Sequence, residues 1–160
     1  MADQPLITEN AGEFRDALPE GGALIGLDLG SKTIGTAFCD AGWSFATAGK
    51  TLPKGKFSKD KAAIEALVAE RSVKGVVIGL PLNMDGTAGP RAQASRAFAR
   101  NLAVMGLPVL LWDERWSTAS AERDMIAQDT SRRKRAERID SHAAAVILQG
   151  AIDRLAGGIL

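Results

Sequence analysis

Residues 23 to 38 read Ala23-Leu24-Ile25-Gly26-Leu27-Asp28-Leu29-Gly30-Ser31-Lys32-Thr33-Ile34-Gly35-Thr36-Ala37-Phe38. Ala23–Leu29 has the character of a strand, a tight turn follows, and Thr33–Cys39 predicts a second strand. The first strand is apolar on both faces, the pattern of a strand central in a sheet. Gly30 and Gly35 bracket the turn, where glycine permits positive φ and close approach of a ligand to the backbone. Asp28 stands inside the apolar run. A carboxylate there is costly unless it is paired, protonated or bound to a cation, so its partner must come from elsewhere in the chain.

Downstream, Asp40-Ala41-Gly42 signals another turn and Trp43–Ala48 a third strand. Three strands joined by such short turns form an antiparallel meander. Upstream, residues 1–22 read as a flexible N-terminal extension ending in Pro19-Glu20-Gly21-Gly22, with a short helix near 11–18. Ser58 predicts the cap of a helix running to Arg71, with Ile64, Leu67 and Val68 on one face. Gly75–Leu80 is a short β-branched strand. Pro90–Val104 is helical, striped by Ala94, Ala97, Phe98 and Leu102. Leu107–Trp112 is a strand, Ser117 begins a helix to about Gln128, and Asp129–Arg138 is a charged connector. The last helix opens at Arg138 or Ile139 and runs to Leu155, burying Ile139, Ala143, Val146, Ile147, Ala151 and Leu155. The order βββαβαβαα predicts an α/β domain in which an antiparallel meander continues into parallel strands covered by helices.

At 160 residues, 46% of them hydrophobic, the chain can bury one core and is too short for two. A net charge of +1 means that any nucleic acid must be met by a local basic patch. One cysteine, Cys39, and one histidine, His142, argue against a disulfide framework and a zinc site of the usual His/Cys type. Cys39 reads as a small core residue. The first residues lack the basic start and apolar run of a signal peptide, and no stretch approaches the ~18–20 apolar residues of a transmembrane helix. The expectation is a cytoplasmic protein with no membrane partner.

Two further acids occupy places comparable to that of Asp28. Glu114 follows a strand directly, and Asp140 lies in the first turn of the last helix on an otherwise Ala/Ile face. Read singly, each has a plainer explanation: a hydrogen bond from Lys32 or the backbone for Asp28, a solvated strand end beside Arg115 for Glu114, the helix dipole for Asp140. Read together, three carboxylates at one end of an open sheet would bind divalent cations. Hard oxygen ligands favour Mg²⁺ or Mn²⁺, and a pair of such ions suits phosphodiester displacement.

Four stretches then carry a resemblance. Gly26–Gly35, the run Val77-Ile78-Gly79-Leu80-Pro81-Leu82-Asn83-Met84-Asp85-Gly86-Thr87, the run Asp113–Thr118 and the run Ile139–Gln149 resemble, in order, the signatures of the YqgF family of RNase H-like nucleases. Its members are described as Holliday junction resolvases and as pre-16S ribosomal RNA nucleases. The resemblance covers residues 23 to 153. It implies an RNase H-like nuclease domain over 23–156, with a mixed five-stranded sheet flanked by helices. It also implies that Asp28, Glu114 and Asp140 form the catalytic, metal-binding triad. The chain departs from the family in the extension 1–22, in Trp116 where a smaller apolar residue is common, and in an arginine-rich connector.

Around this triad, Arg132, Arg133, Lys134, Arg135 and Arg138 form a charge run that reads as a solvated face in isolation and as phosphate contacts beside a nuclease site. Lys32 and Arg115 are further nucleic-acid candidates. Asn83, Asp85, Thr87 and Trp116 are rim candidates. The leading reading is a metal-dependent endonuclease maturing the 5′ end of pre-16S ribosomal RNA, alone or on ribosomal particles, as monomer or homodimer. The alternatives are a resolvase of branched DNA and a non-catalytic RNA-binding module of ribosome assembly. The Asp-Leu-Gly-Ser turn also occurs in actin-like ATPases and sugar kinases, but those need a second lobe for which this chain has no room.

Overall fold

In a computed structural model, residues 6–116 and 132–157 are described, with side chains in the second segment described from Ser141 onward. The strands are β1 (Ile7–Thr8), β2 (Leu24–Leu29), β3 (Thr33–Cys39), β4 (Ala46–Pro53), β5 (Gly75–Leu80) and β6 (Val109–Asp113). The helices are α1 (Ala11–Ala17), α2 (Phe57–Arg71), α3 (Pro90–Leu102) and α4 (Arg132–Gly157). One sheet takes the order β1-β6-β5-β2-β3-β4. Contacts from β1 to β2 are parallel, and β2, β3 and β4 form the expected antiparallel meander.

The alternation of each central strand assigns its two faces. Ile25, Leu27 and Leu29 of β2, with Val76, Ile78 and Leu80 of β5 and Val109 and Leu111 of β6, pack toward α2 and α3 through Ile64, Leu67, Phe98 and Leu102. Leu24, Val77, Leu110 and Trp112 point the other way, toward α1 and the Ala143, Ala144, Ile147, Leu148, Ala151 face of α4. Gly26 lies on this second face and lets α4 settle on the sheet. A Cβ there would stand 2.9 Å from Leu148 Cβ and 3.2 Å from the Ala144 carbonyl oxygen.

Several expectations change. The sheet has six strands rather than five, because Ile7–Thr8 pairs in parallel with β6. Residues 6–22 do not trail away from the domain: Asn10 caps α1 and Phe14 is wholly buried against β2 and α4. The third strand runs Ala46–Pro53, not Trp43–Ala48, because Trp43 adopts φ 57° and gives its indole N–H to the Gly22 carbonyl at 2.8 Å. Helix α2 opens without a side-chain cap at Lys56. Ser58 falls inside its first turn, and the buried Asp60 accepts the Gly55 N–H instead. The stripe of α3 is rotated onto Ala92, Ser95, Phe98, Ala99 and Leu102, leaving Ala94 exposed. Helix α4 begins at Arg132, so the second half of the expected connector is helical and Asp140 lies more than two turns inside. An N-terminal dipole therefore no longer accounts for Asp140. The helix expected at 117–128 lies outside the described residues.

Candidate active site

Asp28 faces α4, on the same side of β2 as Gly26, and is 1% exposed. Both neighbouring strands offer it glycine. Gly35 of β3 is its direct antiparallel partner. On the other side the parallel register Leu27↔Ile78 continues to Asp28 beside Gly79. The carboxylate thus lies between two positions with no side chain of their own.

Glu114 fills the place that Gly79 leaves open. Strand β6 ends at Asp113, and a single 3-10 turn over Glu114–Trp116 swings Glu114 back across β5. A Cβ on Gly79 would stand 2.9 Å from Glu114 Oε2 and 2.7 Å from Ile147 Cδ1. Glu114 is 6% exposed, so two carboxylates, from β2 and from the end of β6, are withdrawn from water on one face of the sheet.

The remaining side of the site is fixed by a rung of the sheet. Asp28 pairs with Gly35, and Gly35 pairs with Thr51 of β4. A register shift between Gly35 and Ala37, with an extra residue on β4, brings Thr51 into that rung. The Thr51 hydroxyl is hydrogen-bonded to the Ser141 hydroxyl of α4. This bond sets α4 at the level of Asp28, and Asp140 is the residue immediately before Ser141. The side chains of Asp140, Arg132, Arg133, Lys134, Arg135 and Arg138 lie outside the described set. Among the described residues no three His, Cys, Asp or Glu side chains are grouped closely enough to hold a metal ion.

The other candidates divide. Arg115 turns away from Glu114. It donates to Asp113 through Nε at 3.1 Å and Nη2 at 2.7 Å, and through Nη1 to the Met84 carbonyl at 3.3 Å. Burial works against the Asp113 charge, but the hydrogen bonds and charge of Arg115 outweigh it and hold that carboxyl below its ordinary pKa. Asn83, Asp85 and Thr87 serve their own loop. Asn83 Nδ2 donates to Thr87 Oγ1 at 2.9 Å, and Thr87 Oγ1 donates to Asp85 Oδ1 at 2.6 Å. Those bonds from Thr87 lower the Asp85 pKa. Arg115 ties this loop to the strand end that carries Glu114. Trp116 is 60% exposed and packs edge-on against Trp112 at 5.6 Å, with Arg154 5.7 Å from its ring centre. Lys32 is exposed, whereas Lys54 and Arg91 reach the turn after Asp28, as described below.

Gly79, Thr51, Ser141 and Asp113 are absent from the sequence-based candidates. Gly79 had a signal, since it sits inside a β-branched strand where glycine marks close approach of another group. Thr51 and Ser141 had none short of the strand register.

A family model described as "RuvX: Holliday junction resolvase" matches residues 22–154. The chain belongs to the RuvX family. Two RuvX relatives bear the name "Putative pre-16S rRNA nuclease". The protein of Novosphingobium aromaticivorans is 70% identical over 95% of this chain and 98% of its own. That of Sphingopyxis alaskensis is 66% identical over 94% and 99%. Among solved structures, Thermus thermophilus RuvC in complex with a Holliday junction substrate aligns over 82% of this chain and 94% of its own. It does so with a TM-score of 0.51 at 12% identity, a likeness of fold. The RuvX chain thus has the expected RNase H-like fold, with a sixth strand.

Proposed function

We propose that this protein is a metal-dependent endonuclease of the cytoplasm, hydrolysing phosphodiester bonds in the maturation of the 5′ end of pre-16S ribosomal RNA. The observation that carries the reading is the placement of the Glu114 carboxylate over Gly79, beside Asp28, on the face that α4 closes. Two carboxylates held out of water, one on β2 and one just beyond the end of β6, form a setting that a bound cation stabilises against desolvation and mutual repulsion. The donors are all carboxylate oxygens, the set that suits Mg²⁺ or Mn²⁺, and the flanking glycines leave room beside them. Asp28 and Glu114 would hold the metal, joined by Asp140 from α4, and two ions match the expected displacement chemistry. Divalent cations bound there would activate water and stabilise the leaving oxygen. Arg132, Arg133, Lys134, Arg135 and Arg138 would hold phosphates of the strand being cut. Those contacts orient the backbone without reading sequence. The shared name of the 70% and 66% identical relatives favours the ribosomal precursor.

Branched DNA is the second reading, favoured by the description of the family model. A resolvase must cut two strands and so requires a symmetric pair of sites, whereas a single-strand RNA nuclease works as a monomer.

The test is cleavage of a precursor 16S fragment and of a four-way DNA junction by wild type, Asp28→Asn and Glu114→Gln, with Mg²⁺, Mn²⁺ or EDTA. Expected is metal-dependent cleavage of the RNA by wild type. Each variant should lose more than the roughly 10–100-fold that accompanies loss of a supporting partner of a metal ligand. Cleavage that survives Asp28→Asn refutes the assignment. RNA binding without any cleavage by wild type favours the assembly-module reading. Junction cleavage by a dimer moves the substrate to branched DNA.

A further inference from the structure

The turn that leaves β2 is held from both sides by cations. Lys54, the residue after β4, donates through Nζ to the Gly30 carbonyl at 3.1 Å. Arg91, in the first turn of α3, reaches the Leu29 carbonyl through Nη2 at 3.4 Å. These are the two carbonyls that directly follow Asp28. The turn is itself closed by the Gly30 N–H on the Thr33 carbonyl at 2.8 Å, and the Lys54 N–H on the Lys32 carbonyl at 2.9 Å fixes the base of the Lys54 side chain.

Between the two cations lies an open cleft of about 220 Å³, lined by Gly30, Ser31, Lys54, Pro90 and Arg91 among others. Among the described residues no carboxylate lines it. The ion pairs among the described residues are Lys61–Glu65, Arg96–Glu9 and Arg115–Asp113, so neither Lys54 nor Arg91 belongs to one. Two cations converging on neutral carbonyls repel each other and leave donors over. Lysine carries three N–H groups and arginine five, and each directs one at the turn. Ser31 lines the same cleft and brings a hydroxyl to its wall. Such a set of cationic and hydroxyl donors matches the oxygens of a phosphate.

We propose that this cleft is a phosphate subsite, taking one backbone phosphate of the nucleic acid on the side of β2 away from α4 and flanking the bond to be cut. The proposal rests on the nuclease reading for the identity of the ligand. It moves the basic contact at this turn from Lys32, where the sequence points, to Lys54 and Arg91. It also gives the substrate two grips: the basic run on α4 for one part of the strand, the Lys54–Arg91 cleft for another.

The experiment is binding of a labelled single-stranded RNA and a labelled four-way DNA junction, in EDTA, over a series of salt concentrations. Wild type is compared with Lys54→Gln, Arg91→Gln, the double variant and Lys54→Arg. Loss of one phosphate contact reduces the slope of log K against log salt by about 0.7 on single strands and about 0.9 on duplex. The double variant should show that reduction in full, and each single glutamine variant a measurable part of it, because both groups serve the same phosphate. Lys54→Arg should keep the wild-type slope. Unchanged slopes with a lowered melting temperature would show that the two residues only pin the turn, and would overturn the subsite. Arg91 is exposed, so Arg91→Gln keeps the test open even if Lys54→Gln does not fold. A wild type that binds neither nucleic acid refutes the nuclease reading instead. The subsite is then decided by inorganic phosphate: a thermal stabilisation that Arg91→Gln abolishes supports it, and none overturns it.

Discussion

At the scale of one residue, Gly79→Ala probes the site without removing a charge. The nearest described atoms to the added methyl, Ile147 Cδ1 and Glu114 Oε2, are movable side-chain ends, so the stability loss should sit near the low end of overpacking, about 1 kcal/mol. The Glu114 carboxylate must shift to admit it, and catalytic geometry tolerates displacements well under 1 Å. Cleavage should therefore fall far more than melting temperature, and equal small losses in both would remove Glu114 from the site. Cys39 gives a second test at this scale. Burial, only partly offset by a hydrogen bond with the Leu24 backbone, pushes its thiol up to about 11. At neutral pH the thiolate is scarce, so a thiol reagent should label the native protein very slowly and the denatured protein at the rate of a free cysteine. Rapid native labelling would mean that the end of β3 opens.

At the scale of elements, the loop between β5 and α3 and the end of β6 behave as one piece because Arg115 joins them through Asp113 and the Met84 carbonyl. Asp113→Asn should loosen the loop at 82–87, seen as faster amide exchange there with the sheet unchanged. The pH dependence follows in sign. A carboxyl whose folded pKa is depressed contributes stability above its unfolded value of about 3.9, and that contribution disappears as pH falls through the folded value. Loop protection should hold from neutral pH down to about pH 4 and fade only in stronger acid. Loosening near pH 6 would contradict the pairing. This is also where the reach of the sequence is clearest. Strands β2, β3 and β5 and the Ala143-Ile147-Ala151-Leu155 face of α4 were legible because each repeats an apolar pattern at its own period. Strand β4 was not, since its residues alternate between half-buried and exposed with little apolar character, and its place comes from pairing with β3. The acids Asp28 and Glu114 could be read from their odd settings. The Gly79 cradle and the Thr51–Ser141 bond could not, because register joins residues far apart in the chain.

For the whole molecule, residues 6–22 before β2 are built into the domain, with Phe14 in its core. Phe14→Ala empties a wholly buried site and should cost about 3–5 kcal/mol in chemical denaturation. Removal of residues 1–22 should lower stability by at least as much, since β1 leaves with it. A truncated protein as stable as the full chain would restore the picture of a loose extension. Helix α4 has a different kind of consequence. It comes after every other described element in chain order and packs on β2, β3 and β4, which come well before it. A chain still being synthesised therefore carries an apolar sheet face with no cover, and Asp28 on that same face. The proposed nuclease cannot switch on before α4 emerges: a nascent chain arrested before residue 141 should be inert toward RNA and dependent on chaperones, gaining activity only once α4 can dock on the sheet.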